Sequence, residues 1–151
     1  MRDVSNKYST LRTATAMASV RMAPAFLRRI AENRVEKGNV LETAKVAGTM
    51  AAKKTPELIP YCHPLPIDDV KIVFNVLKDR LEITASASTI WKTGIEMEAL
   101  TACAVAALTV YDMVKSLDAN AVIEEISCWK RGAGNPTLWT LLRGRLKFAC
   151  L

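Results

Sequence analysis

Between about Ile95 and Leu117 the chain carries a segment whose middle, Ala99, Ala102, Cys103, Ala104, Ala106 and Ala107, is small and apolar on nearly every side. A helix of that kind has no polar face to give to water and has to be buried. The 151 residues are enough for one domain with a real core. In a chain this short, such a helix implies close packing against a sheet and invites contact with another subunit. Thr93 and Glu96 stand before it at capping-box spacing. Its longest apolar-rich run, Ala99 to Tyr111, is too short to span a bilayer. The N-terminus shows no leader pattern, so a soluble, cytoplasmic protein is expected, with no membrane partner.

The sheet is legible on both sides of this segment. Val70, Ile72, Phe74 and Val76 alternate with Lys71 and Asn75. Leu81, Ile83, Ala85 and Ala87 alternate with Glu82, Thr84, Ser86 and Ser88. The short Lys78-Asp79-Arg80 link predicts an antiparallel hairpin with one dry face. Ala14 to Met22 alternates more loosely, and Val122 to Trp129 reads as a fourth strand. Pro24 suits the first turn of a helix, with Phe26, Leu27 and Ile30 as its apolar stripe. Asn39 is placed to cap a second helix, with Glu42 three residues on. That helix presents Val40, Leu41, Ala44, Ala47, Met50 and Ala51 and is expected to end near Thr55-Pro56. The order β-α-α-β-β-α-β predicts an α+β fold, a ferredoxin-like antiparallel sheet with helices packed on one face. One domain spans 1–151, with residues 1–10 as an arm.

The net charge of +6 points to an anionic partner. Aromatic residues are scarce and no base-stacking module is evident, which favours a phosphorylated small molecule over nucleic acid. The only histidine, His63, lies in Ile59-Pro60-Tyr61-Cys62-His63-Pro64-Leu65, a stretch stiffened by prolines on both sides. The four cysteines show no CxxC spacing, and one Cys beside one His makes no metal site. Glu96, Met97 and Glu98 open the long helix; Asp112 and Lys115 close it as i,i+3 neighbours. Read alone, Asp112 and Lys115 are a solvated ion pair and Glu96 a cap. Glu98 and Asp112 are separated by about 21 Å of helix, so a single small ligand meets both only where two chains contribute. Lys37-Gly38 before a helix start is an arrangement that holds phosphate.

Taken in order, Asp3-Val4-Ser5, Lys37-Gly38-Asn39-Val40-Leu41-Glu42-Thr43-Ala44-Lys45, Leu58-Ile59-Pro60-Tyr61-Cys62-His63-Pro64-Leu65, Lys92-Thr93-Gly94-Ile95-Glu96-Met97-Glu98-Ala99-Leu100 and Tyr111-Asp112-Met113-Val114-Lys115 closely resemble the molybdenum cofactor biosynthesis protein C (MoaC) family, the cyclic pyranopterin monophosphate synthases. The resemblance covers roughly residues 3 to 126. It implies a lyase that converts (8S)-3′,8-cyclo-7,8-dihydroguanosine 5′-triphosphate to cyclic pyranopterin monophosphate with loss of pyrophosphate. It implies a homohexamer, a trimer of dimers with sites at dimer interfaces. It also implies Asp112, Lys115 and Lys37 as catalytic residues, and Tyr61, Cys62, His63, Glu96, Met97, Glu98 and Arg12 as residues that bind substrate. No cofactor is required as far as the sequence shows, and Mg²⁺ is a natural companion of the triphosphate. The competing expectation is a basic binding module for RNA or a protein, which has no need for this set of residues.

The chain departs from the family at two places. Asn39 stands where the family usually has Asp, an exchange between two good caps. The tail from Ser127 onward, Ser127-Cys128-Trp129-Lys130-Arg131-Gly132-Ala133, lacks the family's basic glycine-lysine ending. Codons for this stretch read one base out of register can encode Leu-Leu-Glu-Lys-Arg-Gly-Gly-Lys-Ser-Asp-Phe, close to that ending. The expectation is therefore a frameshift beginning near Ser127. Residues 127–151 would then be a divergent tail without a selected structure, lacking a phosphate-binding lysine. An inactive relative is a further expectation on this ground.

Overall fold

The computed structural model describes residues 1–133. The elements run β1 (Thr10–Arg21), α1 (Pro24–Ala31), α2 (Val40–Lys53), α3 (Thr55–Leu58), β2 (Asp69–Val76), β3 (Arg80–Trp91), α4 (Glu96–Val114) and β4 (Val122–Ala133). The four strands form one antiparallel sheet in the order β2-β3-β1-β4. Helices cover one face of it. This is the expected α+β, ferredoxin-like arrangement.

The period-2 pattern sets which face is dry. Ala14, Ala16, Ala18 and Val20 of β1 and Leu81, Ile83, Ala85 and Ala87 of β3 are buried beneath the helices. Pairing Ala14 with Ala87, Ala16 with Ala85 and Ala18 with Ile83 keeps the sheet centre thin-walled. α4 fits against that surface because its own residues are small. Ala99, Ala102, Cys103, Ala106, Ala107 and Val110 are all fully buried, and the Cys103 thiol donates to the Ile83 carbonyl at 3.5 Å. By length and mean hydropathy (1.4) α4 is as apolar as a membrane span, beyond the run Ala99 to Tyr111, yet 56% of that window is buried within the domain. It is the core helix of this fold.

α2 lies beside α4, and Gly48 makes the approach feasible. A Cβ there would meet Ile72 Cδ1 at 2.6 Å and the Ala102 carbonyl oxygen at 2.7 Å. The buried side of α2 is Val40, Ala44, Gly48, Ala51 and Ala52. Met50 turns outward at 56% exposure, because it lies nearly opposite Gly48 around the helix. Asn39 caps α2 as expected, its side chain accepting from the Glu42 N–H at 3.0 Å. The Glu42 carboxylate binds Lys45 instead of returning to the cap. Pro56 does not simply end α2: it sits in the first turn of the short α3, where a missing N–H costs nothing.

The capping box expected from Thr93 and Glu96 does not form. α4 starts two residues later than that pairing requires. Its N-cap is Ile95, with no side-chain hydrogen bond, and the Glu96 carboxylate folds back over Gly94.

β1 begins at Thr10 and β4 continues to Ala133, each longer than the alternation alone indicated. Ser127, Cys128 and Lys130 to Ala133 therefore pair with β1. Two residues of β4 are extra to the ladder: Glu124, between the partners of Ser19 and Val20, and Trp129, between the partners of Thr15 and Ala16. Each is a β-bulge. The remainder of the divergent tail lies outside the described residues.

Candidate active site

The motif residues collect at the two ends of α4. At its C-terminal end Asp112 receives two cations from different parts of the chain. Lys115 Nζ is 2.7 Å from Asp112 Oδ1. Lys37 Nζ donates to the Asp112 carbonyl oxygen at 2.7 Å and lies 3.4 Å from Oδ2. Lys37 reaches there because the loop before α2, turned by Gly38 at φ 103°, runs beside the end of α4. Its ammonium is thus turned toward a carboxylate, away from the start of its own helix. All three side chains are exposed. The hydrogen bond from Lys115, then that from Lys37, holds the Asp112 carboxyl below the usual aspartate range. Asp112 in turn raises Lys115. The cluster is an ionised carboxylate between two ammonium groups, open to solvent.

The N-terminal end of α4 has the opposite character. Glu98 is 2% exposed. Burial, with Glu96 adding like-charge repulsion, pushes its carboxyl above the usual glutamate range. Cys62 faces Glu98, and burial first, then that carboxylate, raises its thiol. A thiol so placed stays protonated at neutral pH and is a poor nucleophile. The Cys62-His63 pair is accordingly no nucleophile and base: His63 Nε2 is 2.8 Å from the Arg2 carbonyl oxygen. Arg12, from the start of β1, donates from Nε to the Trp91 carbonyl at 3.3 Å and from Nη2 to the Lys92 carbonyl at 3.5 Å. Its guanidinium thereby braces the turn that leads into α4. Tyr61 is 78% exposed, and Met97 is half-buried in the first turn of the helix.

A cleft of about 390 Å³ opens beside His63, lined by Arg2, Asp3, Ser5 and Lys92 among others. Lys92 and residues 3–5 carry part of the family resemblance, yet neither spacing nor periodicity gives them a role. The meeting of Arg2 with His63 across 61 positions of sequence is visible only in the fold. Among the described residues no three His, Cys, Asp or Glu side chains converge as a metal site.

The structure thus joins Lys37, Asp112 and Lys115 in one cluster, and brings Cys62, Glu96 and Glu98 together at the other end of α4, with His63 next to Cys62 and Arg12 holding the turn before the helix. It does not join the clusters. Glu98 and Asp112 remain about 21 Å apart along one helix.

Comparison with known proteins agrees with this set of residues. The family model described as "MoaC family" matches residues 1–134. A cyclic pyranopterin monophosphate synthase from Streptomyces coelicolor is 49% identical over 140 residues, covering 93% of this chain and 82% of that protein. One from Brevibacillus brevis is 51% identical over 135 residues, covering 89% and 84%. One from Aquifex aeolicus is 44% identical over 142 residues, covering 94% of this chain and 56% of that longer protein. A match along nearly the whole described chain, with the motif residues gathered at two ends of one helix, places this protein in the MoaC family.

Proposed function

We propose that the chain is a cyclic pyranopterin monophosphate synthase of molybdenum cofactor biosynthesis. It would act on (8S)-3′,8-cyclo-7,8-dihydroguanosine 5′-triphosphate and release pyrophosphate. The observation that carries this reading is the Lys37–Asp112–Lys115 cluster, assembled from segments 75 positions apart. Two ammonium groups flanking one carboxylate suit a reaction in which negative charge builds on departing pyrophosphate while protons move at the rearranging rings. Lys37 and Lys115 stabilise the anion. Asp112, kept ionised by both, accepts a proton. Glu98, biased toward its neutral form, is suited to donate a hydrogen bond to the base or sugar, with Cys62, Tyr61, Met97 and Glu96 shaping that side of the pocket. His63 and Arg12 add positive or polarising groups there. Mg²⁺ would enter with the triphosphate, and no resident cofactor is needed.

One substrate cannot reach both ends of α4 in one chain, so the working site joins the N-terminal cluster of one protomer to the C-terminal cluster of another. A homohexamer arranged as a trimer of dimers meets that need. Exposed Val46, Met50 and Leu108 on the helical layer support such contacts. The enzyme would work in the cytoplasm.

The test is a direct assay. The purified chain is given the cyclised guanosine triphosphate, and cyclic pyranopterin monophosphate is measured as its oxidised fluorescent derivative. Product establishes the activity and shows the divergent tail to be dispensable. A folded hexamer that binds the nucleotide and makes no product would overturn the catalytic reading for this chain, leaving the lost glycine-lysine ending to be restored next.

A further inference from the structure

The Asp3-Val4-Ser5 motif and Lys92 have no part in the reaction as described, yet they end on its histidine. Asp3 Oδ1 accepts from the Ser5 N–H at 2.9 Å and from the Ser5 hydroxyl at 2.6 Å, closing a tight turn. Lys92 donates to the Ser5 carbonyl at 3.2 Å and ties that turn to the strand–helix junction before α4. The Arg2 carbonyl, immediately before the turn, faces His63 Nε2 at 2.8 Å.

A backbone carbonyl can only accept a hydrogen bond. Nε2 must therefore carry the proton, in the neutral ring as in the cation. The neutral ring then has its lone pair on Nδ1, which makes no hydrogen bond among the described residues. A partner on one ring nitrogen fixes what the other presents.

We infer that the segment Arg2–Ser5, closed by Asp3 and tethered by Lys92, is a positioning strap that locks His63 as the Nε2–H tautomer and presents Nδ1 to the substrate. This rests on the proposed synthase reading for the identity of the substrate, but not for the tautomer. Asp3 and Lys92 act through His63. They are positioning residues. The lowered carboxyl of Asp3, caused first by the Ser5 hydroxyl, fits a turn held closed at neutral pH.

The chain has a single histidine, so one imidazole gives the whole ¹⁵N signal. In the intact protein, long-range ¹H–¹⁵N spectra should show one Nε2–H tautomer with a slowly exchanging ring proton. Asp3→Ala opens the turn. It should give a mixture of tautomers and a fast-exchanging ring proton, and lower kcat about tenfold with KM changed less than about twofold. Lys92→Met should act the same way in the spectrum. Asp3→Asn, which keeps the Oδ1 acceptor, should restore both readouts. A wild-type ring spectrum in folded Asp3→Ala and Lys92→Met proteins would overturn the strap, as would an unchanged kcat. Should the intact chain make no product, the synthase reading fails while the ring spectra still decide the strap.

Discussion

The two ends of α4 treat their carboxylates in opposite ways. Glu98 is buried, with a second carboxylate near it, and its charge is discouraged. Asp112 is exposed between two lysines, and its charge is favoured. The residue type is nearly the same; the surroundings decide whether it serves as a neutral donor or an ionised acceptor. Under the proposed function, one helix presents two halves of an acid–base device that cannot meet within a single chain.

The sharpest way to break this comparison is Asp112→Ala. Loss of the ionised acceptor should lower turnover by about 10³-fold or more while leaving the circular dichroism spectrum unchanged. A fully active variant would remove the C-terminal cluster from the mechanism. The division between chains is tested by mixing. Asp112→Ala and Glu98→Ala proteins, each impaired alone, are unfolded together and refolded. Activity should return, since some interfaces then hold one intact end from each protomer. No recovery in assembled mixtures would mean that the two ends do not share a substrate.

At the buried end, Glu98→Gln keeps a neutral hydrogen-bonding group and should cost about tenfold in kcat/KM, against about a hundredfold for Glu98→Ala. Equal losses would show that Glu98 works as an anion. Gly48→Ala should destabilise the fold by about 1–2 kcal/mol in a urea titration, overpacking outweighing the helix propensity gained by losing a glycine.

The smallest effects are in the pH dependence of stability, and their signs differ. Asp112, lowered in the fold, contributes stability that is present above the ordinary aspartate value of 3.8 and lost as pH falls through the folded value. Glu98, raised in the fold, contributes most below the ordinary glutamate value of 4.5, and that contribution is lost as pH rises through the folded value. Asp112→Asn should therefore lower the urea midpoint at neutral pH with the gap closing in acid, and Glu98→Gln should raise it at neutral pH with the gap closing in acid.

The sheet was readable from sequence because alternation is a local signal. Leu81, Ile83, Ala85 and Ala87 had to share a face whatever lay above them. Asn39 was readable as a cap for the same reason. Thr93 was misleading: a cap depends on where the chain enters the helix, and Ile95 takes that place here. Met50 matched the stripe of α2, but the stripe narrows where Gly48 brings α4 close, which depends on a neighbour more than fifty positions away. The candidate site was legible only through the ordered motifs of the family. By spacing alone Asp112 and Lys115 are an ordinary surface pair, and nothing local links Lys37 to them or Arg2 to His63.

The bulge at Trp129 gives the edge strand a tolerance for added length. Cys128 still meets Ala16 and Lys130 still meets Thr15, although one more residue lies between them than the partner strand supplies. The surplus is taken up as a local kink, so side chains beyond it keep their assigned faces. A coding change near Ser127 that altered the count by one residue would be absorbed at this point, and the ladder up to Ala133 would stay in step.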